Sequence, residues 1–65
     1  MSPTLADLAA NAVYPYIDAC GVLLAPSLDG LLATEAANEA AWRVDGYDWP
    51  AVRAALIDAW AACHA

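Results

Sequence analysis

An all-α domain of three to four short helices is the fold class this sequence predicts, on three observations. Alanine, the strongest helix former, recurs throughout, and β-branched residues are sparse. Apolar residues return at i, i+3 and i+4 over the two long stretches at either end of the chain. Residues that start and stop helices, Ser-Pro, Pro-Ser, Asp-Trp-Pro and isolated glycines, punctuate those stretches at the right places. A chain of 65 residues holds one domain, residues 1–65, with a small core.

The first helix is the clearest element. Ser2 is a natural N-cap and Pro3 suits the first helical position. Leu5, Leu8, Ala9, Ala12, Val13, Tyr16, Ile17 and Cys20 then keep one helical phase, with Asp7, Asn11, Tyr14 and Asp18 opposite. Pro15 would ordinarily end a helix. The unbroken phase predicts that this one bends there and continues, leaving the Asn11 carbonyl to water on the polar face. Gly21 is the expected stop. Val22 to Ala25 reads as a buried connector, with a brief strand as the alternative.

Ser27 caps a second element, with Asp29 in its first turn and Leu28, Leu31 and Leu32 on its apolar side. A straight helix onward to Arg43 would put Glu35 and Glu39 into that leucine stripe, and burying carboxylates there is costly. The sequence therefore predicts a break near Ala33. Thr34 would cap a third helix that buries Ala37, Ala40, Ala41 and Val44 and turns Glu35, Asn38 and Glu39 to water. Glu39 is placed to pair with Arg43 at i+4. Asp45-Gly46 is a turn, and a tiny hairpin around it is the second choice to a simple helix end. Asp48 reads as the N-cap of the last helix, whose stripe is Val52, Leu56, Ala59, Trp60 and Cys63, headed by Trp49. Arg53 and Asp58 lie off that stripe.

Charge is the strongest functional signal. Eight acidic residues face two arginines and no lysine, for a formal net charge of -6. Such a surface repels nucleic acid and anionic membranes and attracts basic protein surfaces. No uncharged apolar run approaches the roughly 20 residues that span a bilayer, and no signal peptide is legible, so a cytoplasmic protein is expected. Cys20 and Cys63 make no disulfide framework and no zinc site. They read as two buried thiols, with a single bridge between helix ends as the alternative.

The chain carries no catalytic constellation. Its one histidine, His64, stands next to the last residue, where a general base is hard to hold in place. There is no glycine-rich phosphate loop and no metal-ligand cluster; Asp45 and Asp48 alone are a weak cation signal. No catalytic, cofactor-binding or metal-binding residue is assigned, and no cofactor is expected. The expectation is a non-enzymatic, monomeric protein-binding domain. Its candidate contact residues are Asp7, Asp18, Glu35, Glu39, Asp45, Tyr47 and Asp48. Glu35 and Glu39 have Cβ atoms roughly 5–6 Å apart on a helix. Asp7 and Asp18 are separated by roughly 16 Å of helix axis. Carboxylates at such intervals imitate the phosphates of a nucleic-acid strand. Helix capping and solubility explain the same residues equally well, apart from the absence of lysine. Tyr47, on the turn, is the expected exposed aromatic anchor, and Tyr14 the next.

In size, acidity and alanine-rich helical character the chain resembles the small phage-encoded anti-CRISPR proteins of the nucleic-acid-mimic kind. The resemblance implies an inhibitor that binds a basic, DNA-recognising surface of a CRISPR effector complex. Ser27-Leu28-Asp29, a serine at a helix start in a small acidic protein, is similar to the acyl-carrier-protein site, which would make Ser27 a carrier of phosphopantetheine. Pro26 stands where that family has aspartate, and only 26 residues precede the serine. An acidic accessory subunit or antitoxin is a third reading.

Overall fold

In the computed structural model, which describes residues 3–23 and 27–63, with backbone alone over 19–23, four α-helices follow one another. They are α1 (Leu5–Leu23), α2 (Leu28–Ala37), α3 (Glu39–Val44) and α4 (Trp49–Cys63). No strand occurs among the described residues. The expected all-α bundle is thus the observed one. Helix α4 is its centre, packing most extensively on α1 and also against α2 and α3.

Helix α1 starts later than Ser2 would place it, and Ser2 itself lies outside the described residues. Thr4 is the cap. The Asp7 backbone N–H donates to Thr4 Oγ1 at 3.2 Å, and the Thr4 N–H donates to the Asp7 carboxylate at 3.1 Å. This reciprocal pair is a capping box and satisfies two backbone donors at once. Pro3 therefore precedes the helix. Pro15 lies within α1, exposed, and the helix continues past it as its apolar phase requires. Gly21 is no stop: the helix runs to Leu23, and Val22 belongs to it. The rest of the expected connector, Leu24 and Ala25, and the Cys20 side chain lie outside the described residues.

Among the described residues the core is six buried side chains, Ala9, Val13, Leu31, Trp42, Val52 and Leu56. Ala9 and Val13 come from the α1 stripe, Val52 and Leu56 from the α4 stripe, as periodicity predicts. Leu5, Leu8, Tyr16, Ile17, Trp49 and Trp60 pack around them. Tyr16 of α1 and Trp60 of α4 meet at a ring-centroid distance of 6.3 Å with planes tilted by 55°, within the range of favourable aromatic pairs.

The break after the leucines falls at Asn38, not near Ala33. Thr34 caps nothing; its hydroxyl donates back to the Gly30 carbonyl at 2.9 Å inside α2. At Asn38 the backbone N–H bonds the Glu35 carbonyl at 3.0 Å, three residues back. The Asn38 side-chain amide reaches the Thr34 carbonyl at 3.4 Å, the group a continuing helix would have assigned to the backbone. This is the competition through which asparagine ends helices.

Restarting at Asn38 changes which face of α3 is inward. Trp42 is buried, at 8% exposure, whereas Ala37, Ala40 and Ala41 are exposed and Val44 is 87% exposed. The expected alanine face yields to one indole because that ring buries far more apolar area than several methyl groups.

The hairpin is absent, and Asp45-Gly46 closes α3 instead. Gly46 N–H donates to the Arg43 carbonyl at 2.9 Å and Tyr47 N–H to the Trp42 carbonyl at 3.1 Å. With Gly46 at φ 93°, this is a Schellman C-cap. Asp48 then starts α4, its carbonyl accepting from the Val52 N–H at 3.0 Å.

Candidate functional site

The expected contact residues divide into those whose carboxylates are engaged within the chain and those that face water unpaired. Asp7 is engaged in the α1 capping box. Glu39 pairs with Arg43 at 3.1 Å, as its spacing predicts. Glu35 is half-buried and accepts the Trp42 indole N–H at 2.9 Å. The conflict between Glu35 and the leucines is thus resolved by a hydrogen bond and not by a helix break. Glu39 keeps its side chain 42% exposed in its pair with Arg43, so it faces solvent as the sequence suggests, and Glu35 alone departs from that expectation. Asp18, Asp45 and Asp48 are exposed and carry no hydrogen bond or ion pair from their side chains among the described residues, and Asp29 and Asp58 share that state.

Tyr47 also departs from expectation. It is half-buried and packs on the core that contains Trp42, the contact that usually accompanies a Schellman cap. Tyr14 is the exposed aromatic, at 57%. Its phenol reaches Cys63 on α4. The hydrogen bond with that side chain, and then the negative charge the thiol carries when ionised, hold Tyr14 above its ordinary pKa of 10.0. Cys63 is a half-buried free thiol.

The structure brings two of the expected residues together. Glu35 and Asp45 line one open cleft of about 250 Å³ with Leu8, Asn38, Ala41 and Trp42. Asn38 is the C-cap of α2 and Asp45 the C-cap of α3, so two helix ends meet there. Periodicity points to Glu35 and the Asp-Gly turn to Asp45, each separately. What it missed was Asn38 and Trp42, although the seven-residue spacing of Glu35 and Trp42, two helical turns, was a legible signal. A second groove, of about 320 Å³, runs between α1 and α4 over alanines such as Ala6, Ala10, Ala55 and Ala62, with Tyr14 and Asp58 on it.

Ser27, the carrier-serine candidate, is exposed, and its hydroxyl oxygen accepts the Gly30 N–H at 3.1 Å as the N-cap of α2. His64 lies outside the described residues. Among the described residues no group of three or more His, Cys, Asp or Glu side chains could hold a metal ion. No helix there is long and apolar enough to cross a membrane. No protein-family model, no curated protein and no solved structure matches the chain.

Proposed function

We propose that this chain is a non-enzymatic inhibitor that binds a basic, nucleic-acid-binding surface of a larger complex and keeps DNA from it. A CRISPR effector complex is the target that its resemblance to acidic phage inhibitors implies. The observation that carries this reading is the state of its charges. Five aspartates, Asp18, Asp29, Asp45, Asp48 and Asp58, are exposed without a partner among the described residues, while one of the two arginines is already paired with Glu39. The field of the molecule is therefore left uncompensated by its own cations and is available to a basic partner.

Asp45 strengthens the case. It sits at the C-terminal end of α3, where a negative charge is locally unfavourable, so helix electrostatics do not account for it. Asp7, by contrast, is fully explained by its cap.

The test is competition between this protein and DNA for an isolated effector complex at two salt concentrations. Binding should weaken steeply as salt rises, because exposed charges are screened within about a Debye length. The double variant Asp18→Asn, Asp45→Asn should inhibit at least about tenfold less well, mainly through slower association. These positions are chosen because neither supports the fold, unlike Glu35. Salt-independent binding, or a double variant that inhibits as well as the parent, would reduce the acidic surface to a solubility device.

A further inference from the structure

We propose that the cleft lined by Glu35 and Asp45 receives a single arginine side chain of the protein partner. This deepens the reading above and rests on it for the existence of a basic partner.

Size sets the first limit. At about 250 Å³ the cleft is smaller than the roughly 300–1,000 Å³ of pockets that take small-molecule ligands. It suits one long side chain entering from solvent. Leu8 and Trp42 offer apolar surface to a methylene stem, the way long cationic side chains are ordinarily covered.

The polar lining sets the second. Most of its side-chain donor capacity is already engaged: the Trp42 indole N–H goes to Glu35 and one of the two Asn38 amide N–H groups to the Thr34 carbonyl. What remains is one Asn38 N–H against a larger acceptor set, the second carboxylate oxygen of Glu35, both oxygens of Asp45 and the amide oxygen of Asn38. An occupant must therefore bring donors and positive charge. Among the described residues no cation lines the cleft; Arg43 is held by Glu39 and Arg53 is exposed on α4.

Arginine fits better than lysine because its planar fork presents five donors to acceptors spread over three residues. It is also the more weakly hydrated cation and stacks on indole.

The experiment uses the full chain labelled with nitrogen-15 and three short capped peptides that differ only in a central arginine, lysine or citrulline. At low salt the arginine peptide should shift the Trp42 indole and Asn38 amide signals in a saturable way. The lysine peptide should bind several-fold more weakly and the citrulline peptide not measurably. Glu35→Gln keeps an acceptor for Trp42 and removes the charge, and should weaken the arginine peptide about tenfold, as should Asp45→Asn. Asp58→Asn removes the same charge outside the cleft and sets how much of that loss is net charge alone. Shifts centred elsewhere, equal response to lysine or citrulline, an equal loss in Asp58→Asn, or no shift at millimolar peptide would each overturn the proposal. The two readings fail separately. An arginine cleft that saturates in a protein unable to displace DNA would sink the inhibitor and leave the cleft standing. The reverse result would sink the cleft alone.

Discussion

Glu35 concentrates the chemistry of this molecule at the scale of one residue. Its half-buried carboxylate is satisfied by the Trp42 indole N–H, aimed at it from the next helix. Glu35→Ala leaves that partly buried N–H without an acceptor and should destabilise the fold by about 1–3 kcal/mol. Glu35→Gln retains an acceptor and should cost less than about 1 kcal/mol. Urea unfolding of the two variants checks the difference; equal losses would mean the hydrogen bond contributes little. Tyr14 offers a second test. Its pKa is raised, so the folded state holds the phenolic proton more tightly than the unfolded chain. The stabilisation this gives is complete below the ordinary tyrosine pKa of 10.0 and is lost as pH rises through the higher native value. An ultraviolet titration should show Tyr14, assigned by difference from Tyr14→Phe, ionising above 10.0, and Cys63→Ala should move it back down.

At the scale of elements, two glycines explain where helices begin and end. A Cβ at Gly30 would overlap the Tyr16 hydroxyl oxygen and come within 2.9 Å of Ser27 Oγ, the α2 cap. Helix propensity alone would favour alanine there by about 1 kcal/mol. The rigid Tyr16 ring, held against Trp60, cannot retreat cheaply, and a disturbed cap loses about 1 kcal/mol more. Gly30→Ala should therefore be net destabilising in the parent and much less so with Tyr16→Phe, a coupling that a double-mutant cycle on thermal melts reads directly. Gly46 is different. Nothing lies within 4 Å of an added Cβ, so only its left-handed backbone matters. Gly46→Ala should cost about 1–2 kcal/mol in denaturant titration. A smaller loss would show that α3 ends without need of the Schellman geometry.

At the scale of the whole molecule, stability rests on a small core, six residues of it among the described ones. A domain of 65 residues has a total stability on the order of 3–10 kcal/mol. Leu56, fully buried at the centre of α4, contributes a large part of that. Leu56→Ala should cost about 2–5 kcal/mol and leave much of the population unfolded at room temperature, measured by loss of helical circular dichroism. Net charge acts in the same direction, since self-repulsion destabilises a compact acidic body. Added salt should therefore stabilise the fold while weakening the binding proposed for it.

The sequence by itself determined the helical class, the stripes of α1 and α4, the passage of α1 through Pro15, the Ser27 cap and the Glu39–Arg43 pair. All of these are local: they depend on residues within a turn or two of one another and on a periodicity that neighbouring helices do not alter. Tertiary structure decided the rest. Periodicity assigns a carboxylate to water by default, and only the arrival of Trp42 shows that Glu35 can remain in the leucine stripe. The break at Asn38 turned the alanines of α3 outward and Trp42 inward, and helix packing folded Tyr47 onto the core and placed Asp45 and Glu35 on one cleft. A buried polar group is costly or acceptable according to whether a partner reaches it, and that partner's position is set by how the helices pack, not by spacing along the chain.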